Sequence, residues 1–121
     1  MNDKQKKIQQ YLRSIKSSRR EMEMAKERCR TYEMIYDGQG SEYAKLKAEM
    51  KNKQDLLIDY IDDAQKLIDR LPDVAEREVL SLYYVDCLTM AQIADKMFYQ
   101  ENTVWIKHSK ALQHLSDIIN Q

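Results

Sequence analysis

The stretch LTMAQIADKMFYQENTVWIKH, Leu88 to His108, decides the fold. Thr89 stands just before an apolar set at Ala91, Ile93 and Ala94. Its hydroxyl suits the free N–H groups of a helix start, so it reads as the N-cap of a short helix ending near Lys96. A turn falls at residues 98–100. From Glu101 the buried-type positions return as Val104, His108, Ala111, Leu115 and Ile118, flanked by Trp105, Leu112 and Ile119. That spacing predicts a longer helix reaching about Asn120. A short helix, a turn and a longer helix is the helix-turn-helix spacing. Many short helical pairs share it without touching DNA.

Working back toward the N-terminus, Leu71-Pro72-Asp73 breaks the pattern, because proline cannot continue a helix interior but suits a helix start. After it, Val74, Val79, Leu80, Leu82 and Tyr83 predict a third helix over residues 73–85. Before it, a seven-residue seam runs through Tyr43, Met50, Leu57, Ala64 and Leu71, with Leu46, Lys53, Tyr60 and Leu67 between. It predicts a helix over residues 42–70. Ile61 and Ile68 widen its stripe, so this end should meet more than one neighbour. A similar seam at Ile8, Ile15, Met22, Cys29 and Tyr36, with Tyr11, Ser18, Ala25 and Tyr32, predicts a first helix over residues 3–36. Both glycines lie in Asp37-Gly38-Gln39-Gly40-Ser41. Gly38 suits a left-handed helix ending, and Ser41 is the expected N-cap of the next helix. Two long helices and a short loop make an antiparallel hairpin.

The 121 residues include only two Gly and one Pro, too few turns for a strand-rich fold. A 43% hydrophobic share is too apolar for a disordered chain. No stretch offers the roughly twenty apolar residues of a membrane span, and the start lacks the apolar core of a secretory signal. A cytoplasmic protein with two free, buried thiols, Cys29 and Cys87, is expected. The expectation is an all-α protein with a helical hairpin at 1–71 and a three-helix domain at 72–121.

The C-terminal motifs carry more than a rhythm. Leu71-Pro72, Glu76-Arg77-Glu78-Val79-Leu80, Tyr83, Leu88-Thr89-Met90-Ala91-Gln92-Ile93-Ala94-Asp95-Lys96-Met97, Asn102-Thr103-Val104, Lys110-Ala111-Leu112 and Leu115 closely resemble region 4 of bacterial sigma factors. The match runs without a gap across about fifty residues. With a helical segment in front, including Tyr11-Leu12-Arg13-Ser14-Ile15-Lys16, the whole resembles phage transcriptional regulators of the ArpU and RinA type. That resemblance implies a helix-turn-helix whose last helix reads the DNA major groove. Three positions depart from the pattern. Phe98 stands where the family has glycine, Gln100 where it has a serine cap, and Lys107 where it has an apolar residue, with Ile106 beside it in place of a polar one. The last departure suggests a slightly rotated helix or a changed partner.

Carried over from the motif, the base-reading positions are Glu101, Asn102, Trp105 and Ile106. Asparagine can pair with adenine, glutamate can accept from cytosine, and the apolar pair suits a thymine methyl. Thr89, Gln92 and Gln100, at helix starts, and Lys96, Lys107 and Lys110 are the phosphate candidates. Plainer readings compete. Trp105 shares a seven-residue spacing with Leu112 and Ile119 and by period reads as core. His108 lies on the buried seam. Glu101 and Asn102 suit a solvated helix start.

Charge weighs against DNA binding by the C-terminal part alone. Residues 72–121 hold 4 Lys+Arg against 7 Asp+Glu, a net of −3, whereas 1–71 hold 16 against 13, a net of +3. Phosphate neutralisation carries much of DNA affinity. The span 4–20 holds seven basic residues and no acidic one, with Lys6, Arg13 and Arg20 one heptad apart. It reads equally as a DNA-facing row and as a solvated helix face.

Catalysis finds no support. His108 and His114 are six residues apart on one helix and do not converge on a metal, no Cys pair has ligand spacing, and no phosphate loop is present. No cofactor, metal or catalytic residue is expected. The expected function is DNA-binding regulation of phage or prophage type, with double-stranded DNA as partner and RNA polymerase as a second one. A homodimer through the hairpin seam, or packing of that seam on the C-terminal domain, fits equally. Two alternatives stand beside this: a module docking on RNA polymerase or a sigma factor without reading DNA, and a phage small terminase subunit, which would form a ring.

Overall fold

The computed structural model describes residues 2–120. The outermost residues of the expected division, 1 and 121, lie outside them. Among the described residues the chain is all-α: α1 Asp3–Tyr36, α2 Ser41–Ile68, α3 Val74–Leu80, α4 Met90–Met97 and α5 Glu101–Ile119, with a π-helical turn, Ser81–Val85, continuing α3.

The first two helices form an antiparallel hairpin. Its pairing is visible in the cross-helix ion pairs Lys53 to Glu21 at 3.6 Å and Arg28 to Glu49 at 3.8 Å. Asp37 ends α1 in the left-handed conformation and Gly38 follows in the same region at φ 71°. Ser41 is not the N-cap of α2. Gly40 takes that place with no side-chain bond, because the turn closes one residue early and Ser41 already lies in the helix.

The seam of α1 is also corrected near its start. Leu12 is fully buried and Tyr11 is exposed. A heptad assumes one partner, but this end of α1 packs on α2, on the π turn and on α5 together. At the other end only two helices remain, and Tyr36 is exposed. The widened stripe of α2 has the consequence expected of it: Ile68 and Leu71 are fully buried beside Leu80, Ala111, Leu112 and Leu115. This cluster draws on both sides of residue 71. A second, smaller one joins Val79, Leu82, Met90, Ile93, Ala94 and Val104.

The α3 segment departs from its expected apolar set in two places. Val74 is 65% exposed, since it lies one residue past the cap Asp73 at the open end of the helix. Tyr84 is buried, and Tyr83 only half so. The Asp86 N–H donates to the Ser81 carbonyl at 3.0 Å, five residues back. The wider turn shifts the phase of the helix face, so the inward position moves from the first tyrosine to the second. Cys87 lies in the loop beyond at φ 57°, half-buried and outside any helix, whereas Cys29 is buried within α1. Both thiols are free.

Phe98 takes φ 58° where glycine would be unstrained. The Tyr99 N–H donates to the Ala94 carbonyl at 3.0 Å, a Schellman-type ending of α4. The Phe98 side chain is 94% exposed and contributes no packing. Phe98→Gly is therefore expected to stabilise the protein by about 0.5–1 kcal/mol, read as a raised midpoint in urea unfolding. An unchanged or lowered midpoint would show that the strain at Phe98 is no larger than the unfolded-state entropy that glycine adds.

Candidate nucleic-acid interface

Helix α4 starts on a reciprocal cap. The Thr89 hydroxyl accepts from the Gln92 N–H at 3.1 Å, and the Gln92 side-chain oxygen accepts from the Thr89 N–H at 2.9 Å. The box leaves the N–H groups of Met90 and Ala91 without a helical acceptor. Helix α5 starts less firmly, with Gln100 as an N-cap whose side chain makes no capping bond.

The first turns of α5 bring Glu101, Asn102, Trp105 and Ile106 together on one exposed face. Trp105 is 46% exposed and is not core. Its period was misleading because only the middle of that face is covered. Leu112 is fully buried, and a cleft opens where Trp105 stands. The indole meets Tyr83 and His108 edge-on, at 6.4 and 5.9 Å between ring centres. Lys107 is half-buried on another flank, with its Nζ 5.4 Å from the centre of the Tyr99 ring. That cation–π contact gives the half-buried lysine a partner. Lys96, Gln100 and Lys110 are exposed.

The cleft holds about 680 Å³ between α1 and the starts of α4 and α5. One wall is Arg13, Lys16 and Arg20 of α1, and the other includes Thr89, Ala91, Glu101 and Trp105. Of the sequence-derived site residues, this brings together Thr89, Glu101 and Trp105. Gln92, Lys96, Gln100, Asn102, Ile106, Lys107 and Lys110 lie outside it. The basic row seen in the sequence is re-registered: Lys16, not Lys6, joins Arg13 and Arg20. The spacing 13, 16, 20 was a readable helical stripe, but nothing local said that it faced α4.

Buried polar contacts hold the walls. The Arg19 guanidinium donates to the Val85 carbonyl at 2.7 Å, tying α1 to the π turn. Gln9 donates to the Tyr84 oxygen at 3.2 Å, which leaves the Tyr84 hydroxyl proton for His108 Nε2 at 2.6 Å. His108 is thus a neutral acceptor, 3% exposed. Burial, and then the Arg13 charge, push its pKa down to about 4. Burial pushes the Tyr84 hydroxyl up to about 12. His114 binds the buried Glu76 carboxylate through Nδ1 at 2.7 Å. Arg77 donates to the Leu71 carbonyl at 2.6 Å, closing the break after α2. Glu76 and Arg77, adjacent in sequence, thus tie α3 to α5 and to the end of α2. Among the described residues no three His, Cys, Asp or Glu side chains gather as metal ligands. None of the described helices is long and apolar enough to cross a membrane.

No curated protein and no solved structure gives a significant match to this chain. A family profile, described as protein of unknown function (DUF1492), matches residues 37–116. These residues cover the hairpin turn, α2, α3, α4 and most of α5. With more than half of its length matched, the chain belongs to the DUF1492 family.

Proposed function

We propose that this protein is a cytoplasmic DNA-binding transcriptional regulator of phage or prophage type, without catalytic activity. In this reading α4 and α5 form a sigma region 4-like helix-turn-helix, and α5 enters the major groove. The observation that carries it is the exposed start of α5. Glu101, Asn102, Trp105 and Ile106 share one face beside a capped helix start and a cleft walled by three cations. Helix N-termini and cations suit phosphates, and an exposed asparagine suits an adenine edge. The cations of α1 also answer the −3 charge of residues 72–121.

The test is binding of the purified protein to DNA fragments from its own gene neighbourhood, across a salt series with random-sequence competitor. Selective binding that weakens as salt rises is expected. Asn102→Ala should then lose about 1–3 kcal/mol for the preferred fragment and little for random DNA. Equal loss on both would remove Asn102 as a reader, and no binding at low salt would end the DNA reading.

A second reading has an observation of its own. Phe98, Tyr99, Trp105 and Ile106 leave large apolar surfaces exposed around the same turn. Such surfaces suit a protein partner, so docking on RNA polymerase or a sigma factor is the alternative. Retention by polymerase in the absence of DNA would favour it.

A further inference from the structure

Most cations of this chain form no ion pair among the described residues. On the distal hairpin Arg28, Arg30, Lys45 and Lys53 each lie within 4 Å of a glutamate carboxylate. At the cleft Arg13, Lys16 and Arg20 form no ion pair among the described residues, although Glu101 lines the same space. Three like charges along one wall repel one another, and a cleft focuses their field. Their spacing of three and four residues sets them in one stripe, about 10 Å long from first to last. Opposite them stand the Thr89 hydroxyl and the free N–H groups at the start of α4. The α1 wall therefore offers positive potential and the start of α4 offers N–H donors to the same volume, with Glu101 as the acidic residue of the lining. Glu101 and Trp105, which line the cleft, also belong to the exposed face of α5.

We infer that the cleft is a phosphate clamp in which α1 forms the second wall, so that one DNA strand's backbone passes between Arg13, Lys16 and Arg20 and the start of α4 while α5 lies in the adjoining groove. The inference rests on the DNA-binding reading above and adds a contact from outside the three C-terminal helices. A DNA backbone suits the cleft better than a small enclosed ligand does, because two of its lining residues belong to the exposed α5 face and its cations form a row. The long helix α1 thereby acts as part of the binding surface as well as a support for it.

The triple variant R13Q/K16Q/R20Q tests this in the full chain, with R13K/R20K as the charge-keeping control. All three positions are exposed, so both variants should keep the helical circular dichroism and melting of the parent. The readout is the dependence of DNA affinity on salt. Losing three phosphate contacts lowers the slope of log affinity against log salt by about 2.7. Over a fourfold rise in salt the parent should lose about forty times more affinity than the triple variant. The preference among DNA fragments should persist, and the control should restore the parent slope. Equal slopes, with selective binding by the parent, would overturn the clamp and leave the DNA reading standing. If the parent binds no DNA, pyrophosphate titrated against the fluorescence of Trp105, the single tryptophan, decides what remains. A saturable change lost in R13Q/K16Q/R20Q would replace DNA as the occupant with a small phosphate ligand. No change would overturn the phosphate site altogether.

Discussion

Leu12→Ala is expected to destabilise the protein by about 3–4 kcal/mol, whereas Tyr11→Ala should cost less than about 1 kcal/mol. Leu12 has no exposed surface and belongs to the cluster holding Leu80, Tyr84, Ala111, Leu112 and Leu115. Removing its branched end leaves a hole where three elements meet. The hole cannot readily collapse, because Arg19 fixes α1 to the π turn and Tyr84 is held between Gln9 and His108. Tyr11 is exposed, and its removal empties no such site. Urea unfolding followed by circular dichroism checks both variants. The same experiment reports on cooperativity. Since one cluster spans the hairpin and the C-terminal helices, Leu12→Ala should shift a single transition. Two separate transitions, or equal costs for Leu12 and Tyr11, would contradict the shared core.

Acid should weaken the fold through His108, before most carboxylates titrate. The imidazole is held neutral, with its pKa lowered from the usual 6.5 to about 4 by burial and by Arg13. In the unfolded chain it takes a proton as the pH falls through 6.5, and in the folded chain it does not. Its contribution is therefore fully present above pH 6.5 and is lost as the pH falls toward 4, by about 3 kcal/mol in total. His108→Gln keeps a hydrogen-bond acceptor for the Tyr84 hydroxyl and cannot titrate. Its stability between pH 7 and 4.5 should fall less steeply than that of the parent. Parallel curves for the two proteins would show that His108 is not the group responsible.

Helix positions were legible because they depend on neighbours in sequence. The break at Pro72, the cap at Thr89 and the two glycines in the first loop each act on the backbone within one to four places. The seven-residue seams were enough to expect a hairpin, and the wide stripe on α2 was enough to expect a second neighbour at its end. The exposed start of α5 was also expected from its motif. The remaining features depend on what lies across space. Leu12 replaces Tyr11 because three elements, not one, meet the start of α1. Tyr84 replaces Tyr83 because the π turn adds a residue to one turn of helix, and hydrophobic period carries no mark of that insertion. Trp105 is half open because it borders the cleft, and period cannot report which part of a helix face is left uncovered. The cleft is the clearest case. Arg13, Lys16 and Arg20 are some seventy residues from Thr89, and only the packing of α1 across the C-terminal helices sets them face to face. Local bonding determined the helices and their ends; contact between distant segments decided which face is core, which is open, and where the charges gather.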